Sequence, residues 1–444
     1  MLTILASILT FGFLLSLQIA EYQQISLLML IKMDIVLICI TQSVSIFDCI
    51  QTMETNDKIG VTVSDLLRLI PEDLLAGLST ETKVDYQVKK LYGRNVFTLL
   101  LFGLIESDRL GLRSLQDFYN STHYKVLFNV SKANTTKYNS LSARLATMNV
   151  DFFKKAYESI YQECTRYYDE TDLSLNYRIS RVDSTMVCQT AAKLEKGIHV
   201  GCKKDGKKQI KYTICLTDMF PSSVEVFNQQ CHINENLTIP KAIFKVIDKN
   251  KDNVFVFDRG VSSRDIFCEL DQKECSFVTR LKTDARFEVL EDFKLSQELT
   301  VRNLTILKDQ RINLYRSGNN VVEHPFRLIK TMGENGSNYF FLSNRFDLPA
   351  IEIIQLYKKR WDIEVFFRFI KQELNFAHFI SVNENGIQIL LYMTLILAML
   401  ILIYKKMNGL GYKTAKRRFM IEMWDIIAKM MIQYSGGDPN LVFR

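Results

Sequence analysis

Residues 253–260 read NVFVFDRG. Val254 to Phe257 form an unbroken apolar run, the mark of a strand that has no solvent face. A strand of that kind is covered on both sides, so the sheet holding it lies inside a layered α/β arrangement. The run stops on an acid, Asp258, followed by Arg259 and Gly260.

Reading outward supports such a sheet. Upstream, YRISRVDSTMV (177–187), GIHVGCKK (197–204), KQIKYTICLT (208–217) and SSVEVF (222–227) carry strand-type composition, and the polar KKDG joins the second and third as a hairpin. A short helix, PKAIFKVIDKN (240–250), leads into the apolar run; a helix at 262–272 and a strand at 275–282 follow it. Antiparallel strands followed by alternating β and α elements predict a mixed sheet flanked by helices. Residues 54 to 170 instead show apolar positions at three- and four-residue spacing, a helical region. From 285 to 345, ARFEVLEDF, LTVRNLTILKD, INLYRS, FRLIKT and NYFFLSNR read as five short strands separated by Gly, Asn and Asp turns, a β-rich insertion.

The chain has 444 residues, 48% hydrophobic and 24% charged, with a formal charge of +7. That composition excludes a disordered chain and permits a polyanionic partner without requiring one. Nine cysteines without a C-x-x-C pair, and five histidines away from zinc-ligand spacing, argue against a structural zinc site and fit reduced, packed thiols. Two stretches are apolar enough to span a bilayer. Residues 1–20 lack the basic lead of a secretory signal, and residues 1–52 read as upstream sequence before a natural start at Met53, with Met33 the second choice and a membrane anchor the rival reading. Ile387 to Tyr404 reads as a buried core helix, because it follows a helix of another character by a short Asn/Gly-containing turn.

That other helix is YKKRWDIEVFFRFIK (357–371). If it is continuous, Tyr357, Arg360, Glu364 and Lys371 fall within an arc of about 60°. Trp361 and Arg368 flank that arc, and Ile363, Phe366, Phe369 and Ile370 gather opposite. A surface helix with solvated ion pairs is the ordinary explanation for such charges. Here the Arg360-to-Glu364 order is the poorer one for pairing, and Lys371 lies two turns away. One carboxylate framed by cations instead invites partners from elsewhere. Asp183, closing the strand RVDST, and Asp258 are at strand ends, where ligands of open α/β sheets collect. Three converging carboxylates repel unless a cation holds them, and oxygen-only donors favour Mg²⁺ or Mn²⁺. Two such ions roughly 3.5–4 Å apart suit phosphodiester chemistry. Arg280, Arg360 and Lys371 then serve as phosphate contacts, with Tyr357 and Trp361 as stacking surfaces.

The spacing Tyr-x2-Arg-x3-Glu-x6-Lys at 357, 360, 364 and 371, with VDST and FDRG upstream, resembles the DDE transposases of bacterial insertion sequences, specifically the insertion-sequence-four group with its Tyr-Arg-Glu-Lys signature. The resemblance runs from about residue 90 to the C-terminus and leaves out residues 1–52. It implies a ribonuclease-H-like α/β fold with a β-rich insertion and an N-terminal helical domain. Asp183 would be on the first strand, Asp258 on the fourth and Glu364 on a late helix, the three acting as catalytic metal ligands. It further implies two Mg²⁺ ions, replaceable by Mn²⁺, and double-stranded DNA as partner, both terminal inverted repeats and target. A homodimer in the synaptic complex, no membrane association and a bacterial cytoplasmic, nucleoid-associated setting complete the expectation. DNA contacts fall to Arg280, Tyr357, Arg360, Trp361, Arg368, Lys371 and Arg259. The basic residues Lys405, Lys406, Lys413, Lys416, Arg417 and Arg418 read equally as DNA contacts or as a solvated cationic tail. Some members of the group stack a flipped base on a Trp of the insertion; none lies between 285 and 345, leaving Phe326, Tyr339 or Phe341 as substitutes. The expected division is 1–52 apolar extension, 53–170 helical end-binding domain, 171–284 first part of the catalytic core, 285–345 insertion, 346–434 second part of the core, and 435–444 tail. The rival readings are a nuclease of the same fold without strand transfer, an inactive DNA-binding remnant, and a membrane protein.

Overall fold

The apolar strand at 253–257 is the middle of the molecule. In a computed structural model, residues 60–167, 177–189, 194, 196–199, 201, 207–246, 252–295, 300–316 and 320–443 are described; the expected extension at 1–52 and the KKDG turn lie outside them. Gly60 onward forms one compact unit.

Among the described residues, seven helices come first: α1 (Val63–Leu67), α2 (Glu72–Thr82), α3 (Gly93–Glu106), α4 (Leu112–Asn120), α5 (Thr122–Leu127), α6 (Tyr138–Thr147) and α7 (Val150–Tyr167). Then follow β1 (Arg178–Gln189), β2 (Ile198–His199), β3 (Lys208–Thr217), β4 (Phe220–Phe227), α8 (Glu235–Phe244), β5 (Asn253–Phe257), α9 (Arg264–Gln272) and β6 (Ser276–Leu281). The insertion supplies β7 (Phe287–Asp292), β8 (Thr300–Val301), β9 (Leu304–Tyr315), β10 (Val321–Gly333) and β11 (Asn338–Ser343). Four helices close the chain: α10 (Ala350–Lys358), α11 (Trp361–Glu373), α12 (Glu384–Met407) and α13 (Tyr412–Tyr434).

One 11-stranded sheet runs β2-β3-β1-β5-β6-β11-β10-β9-β7, with β4 beside β3 and β8 beside β9. β1 is antiparallel to β3 and parallel to β5, and β5 is parallel to β6. Counting β1, β3, β4, β5 and β6 in chain order, the core reads 3-2-1-4-5, the ribonuclease-H-like order. Along β5, Val254 and Val256 pack toward α10, whereas Phe255 and Phe257 pack toward α8 and α9. That two-sided cover is why the segment shows no polar alternation.

The insertion differs from expectation in how its strands divide. LTILKD and INLY are one long strand, β9, because Asp309 and Gln310 are buried mid-strand and do not turn. β11 pairs with β6, so the insertion extends the core sheet without a break. A true turn lies at Gly336, whose φ of +74° suits glycine, between β10 and β11. Helix α8 starts earlier than Pro240 suggests, at Glu235, where the Asn234 side chain accepts the Asn236 N–H. The apolar Ile387–Tyr404 stretch forms most of α12, which is 94% buried inside the protein over its most apolar window. It packs against α3, α6, α7 and α13, and that enclosure accounts for a helix apolar all round.

Candidate functional site

Register brings two of the acids side by side. The parallel pairing of β1 with β5 runs from Arg178↔Asn253 to Val182↔Phe257 and then stops. The next residue on each strand is an acid, Asp183 and Asp258. Neighbouring strands lie about 4.8 Å apart, so these carboxylates flank the point where the strands part. Asp183 is not at a strand end, as the sequence suggested. β1 continues past it, paired with β3 through Asp183↔Ile214 and on to Gln189. What ends beside Asp183 is its neighbour.

The third acid arrives on a helix that is not continuous. Between α10 and α11, Arg360 N–H donates to Tyr357 O at 3.0 Å, Asp362 N–H to Lys359 O at 3.1 Å and Ile363 N–H to Arg360 O at 3.2 Å. These are three-residue bonds, a tightened 3₁₀ turn in which residues three apart eclipse. Tyr357 and Arg360 therefore stack on one side and reach the strand acids. The Tyr357 hydroxyl donates to Asp258 Oδ1 at 2.9 Å. Arg360 Nη1 lies 3.8 Å from Asp183 Oδ2, and its Nη2 lies 2.6 Å from Glu364 Oε1. The Arg360–Glu364 pair does form, but within a cluster that includes Asp183. The back of α11 is buried as its periodicity predicts, through Ile363, Phe366, Phe369 and Ile370.

Burial dominates the electrostatics at Asp183. Burial pushes the Asp183 carboxyl up to about 6; nearby Glu235 and Asp258 push the same way, and the Ser184 N–H and Arg360 oppose them. Burial, with Asp258 beside it, raises the Tyr357 phenol to about 12, so it stays a hydrogen-bond donor. Among the described residues, no three acid, imidazole or thiol groups converge tightly enough to cage a metal ion. The acids instead surround one guanidinium. In donor chemistry they suit a hard divalent cation: oxygen atoms only, and more negative charge than Arg360 neutralises.

The remaining cations line the approaches. Lys371 Nζ donates to the Met186 carbonyl on β1 at 3.1 Å, and burial lowers its pKa. Arg280, on β6, stacks over Tyr339 at 4.9 Å and Tyr357 at 6.0 Å. Among the described residues, the buried Nε atoms of Arg280 and Arg360 meet no hydrogen-bond partner. Two clefts lie beside residues next to the acids: Tyr357 and Arg360 line the first, Arg259 and Arg280 the second. One, of about 880 Å³, is bounded by Arg302, Lys358, Lys359, Arg360 and Trp361; the other, of about 560 Å³, by Arg259, Arg264, Arg280, Lys282, Arg286 and Arg316. Trp361 is 52% exposed at the first. Arg259 and Arg368 are exposed as well. Phe326 and Phe341 are core residues, which removes them as stacking surfaces and leaves the half-buried Tyr339. In the C-terminal basic group, Lys416 is buried near Asp108 at 3.5 Å and Lys405 lies over the Tyr412 ring, whereas Lys413, Arg417 and Arg418 are exposed.

Three charged residues escaped sequence reading. Arg181 is buried two positions before Asp183. Lys211, wholly buried on β3, pairs at 2.9 Å with Glu235, which also accepts from Ser184 Oγ at 2.9 Å. A basic residue inside an otherwise apolar strand, as in KQIKYTICLT, was the available signal for Lys211; Glu235 had none.

The sheet order is ribonuclease-H-like, with Asp183 and Asp258 flanking the point where β1 and β5 part. The chain belongs to the family described as "Transposase DDE domain", which matches residues 175–400. It is similar to a protein of Sinorhizobium fredii named as transposase y4zB, 27% identical over 35% of this chain and 43% of that one. It is also similar to proteins named as transposases for insertion sequence elements: IS5377 of Geobacillus stearothermophilus, 24% identical over 56% of this chain and 62% of that one, and IS4SA of Synechocystis, 29% over 36% and 43%. The matches thus span between 43% and 62% of these relatives' lengths. A cryo-EM structure of a piggyBac transposase synaptic complex with hairpin DNA aligns with a TM-score of 0.46 at 12% identity, over 85% of this chain and 82% of that one.

Proposed function

We propose that this protein is a DNA transposase of the insertion-sequence-four group that cleaves at the terminal inverted repeats of its element and joins the freed 3′-hydroxyls to target DNA. The observation that carries this reading is the pairing register that ends at Val182↔Phe257, setting Asp183 beside Asp258 with the Tyr357–Arg360–Glu364 turn docked onto both. Asp183, Asp258 and Glu364 would hold two Mg²⁺ ions, which supply activation of the attacking oxygen and neutralisation of the leaving one.

The protein's own groups do the positioning. Tyr357 orients Asp258 through its hydroxyl. Arg360, poised between Asp183 and Glu364, and Arg280, with its orphaned Nε, offer N–H groups to the scissile phosphate and its neighbours. Lys371 adds a cation from the same helix. The basic cleft from Arg259 to Arg316 carries the backbone away from the acids, and Trp361 offers a stacking surface at the other cleft. In the first reaction, water attacks the terminal phosphorus and the bond to the 3′-oxygen breaks, freeing a 3′-hydroxyl. In the second, that hydroxyl attacks a target phosphodiester and displaces a target 3′-oxygen. Neither needs a covalent protein intermediate. Joining two ends at once calls for a homodimer bridging them.

The test is cleavage and joining of DNA carrying the native element's ends with Mg²⁺ or Mn²⁺. Asp183→Asn, Asp258→Asn and Glu364→Gln should each cut both reactions by on the order of a thousand-fold or more, with end binding retained. Activity surviving any one change rules out the site. Cleavage without a joined plasmid product replaces the reading with that of a nuclease.

A further inference from the structure

Side chains alternate along β1. Val182 packs with Ile239 and Ala242 of α8, and Ser184 bonds Glu235 at the start of that helix. Arg181 and Asp183 therefore share the opposite face, the one against which α11 lies. Arg181 is 7% exposed, and its guanidinium is almost fully used. Nη1 donates to the Asp218 carbonyl at 2.6 Å and the Ile179 carbonyl at 3.4 Å, Nε to the Lys359 carbonyl at 3.3 Å, and Nη2 to Asp362 Oδ2 at 2.9 Å.

The last two contacts grip one residue before Arg360 and one just after Trp361. Between them lies the 3₁₀ turn where the ordinary helical bonding of α10 and α11 is interrupted. Such a turn is the pliable point of a long helical arm. An arginine spent only on stabilising the fold would have no reason to straddle that point. Straddling it couples the turn to the strand position two residues from Asp183. A planar fork with several fixed N–H directions suits that task better than an ammonium.

We propose that Arg181 is a positioning residue: its guanidinium clamps the Lys359–Asp362 turn onto β1 and thereby sets where Arg360 and Glu364 stand relative to Asp183. The clamp deepens the transposase reading, and its structural half is testable without it. Two variants of the full chain serve. Arg181→Lys keeps the charge and loses the fork; Asp362→Ala removes the acceptor of Nη2 at a side chain that is 54% exposed. In protein without DNA, hydrogen exchange of the amides from 359 to 364 should quicken about ten-fold in both variants, with the body of α12 unchanged. In cleavage of end DNA, kcat per end-binding-competent protein should fall about ten-fold while KM and end-DNA affinity stay as in the parent; counting only protein that binds end DNA removes the loss that partial unfolding would give. Unchanged exchange at 359–364 in both variants overturns the clamp, whatever the activity. Faster exchange with an unchanged kcat overturns its positioning role. A parent protein that cleaves no end DNA overturns the transposase reading alone, and the exchange result then decides the clamp.

Discussion

Burial lifts the Asp183 carboxyl from 3.8 to about 6, and Glu235 and Asp258 add to the lift. The folded protein thus holds the ionised form less well than the unfolded chain does. Relative to a neutral side chain, the penalty is absent below about pH 4, grows as pH rises through about 6 and is complete above it. At about 1.4 kcal/mol per unit, it amounts to at most roughly 3 kcal/mol. Asp183→Asn, measured by urea unfolding in chelator, should therefore be more stable than the parent at pH 8 by about 1–3 kcal/mol, a gain that vanishes near pH 4. An Asn variant no more stable at pH 8 would mean that Arg360 already compensates the charge. Sequence alone picks out Asp258 by the apolar run it ends and Glu364 by the cations around it. It cannot pick out Arg181 or Glu235, because their meaning lies in burial and in contacts across distant segments. Even Asp183 reads as a strand end only because the sequence does not show which neighbouring strand stops first.

The α10–α11 arm and the β9–β10 ribbon show how elements are misjudged. A helical wheel places Tyr357, Arg360, Glu364 and Lys371 on one face, and the structure keeps Tyr357, Arg360 and Glu364 together although the helix breaks, because a 3₁₀ turn still aligns residues three apart. In β9 the error runs the other way. Asp309 looks like a turn residue, yet Arg327 of β10 meets it with two bonds, Nε to Oδ1 at 2.9 Å and Nη2 to Oδ2 at 2.7 Å, both side chains under one-tenth exposed. The paired charge tolerates a strand interior that a lone one would not. Arg327 also donates to the Leu348 carbonyl at 2.5 Å, holding the segment before α10 to the ribbon. Asp309→Ala, leaving that guanidinium buried and unpaired, should cost about 3–5 kcal/mol in urea unfolding; Asp309→Leu with Arg327→Met should cost less than half as much. A single change costing under about 1 kcal/mol would show that water reaches the pair.

At the scale of the whole molecule, the expected division at 285 and 345 has to be weighed against a sheet that runs through it. β6 pairs with β11, and Ile312, Leu314, Phe326 and Leu328 of the insertion share a hydrophobic cluster with Val182, Phe255, Phe257, Phe267 and Phe277 of the core. Phe326 packs its ring 6.0 Å from Phe277 and 6.3 Å from Phe267. An insertion sharing its interior with the strands that carry the acids should not unfold by itself. The sequence holds two tryptophans, Trp361 on α11 beside the site and Trp424 on α13, away from the insertion. Phe326→Ala should cost about 3–5 kcal/mol. In the parent and in a Trp361→Phe background, where fluorescence reports Trp424 alone, the denaturant midpoint should move by the same amount, and circular dichroism should trace the same single transition. A Trp424 midpoint that stays put while part of the β signal melts early would make the insertion an independent folding unit, and the acids would then stand on a core that needs none of it.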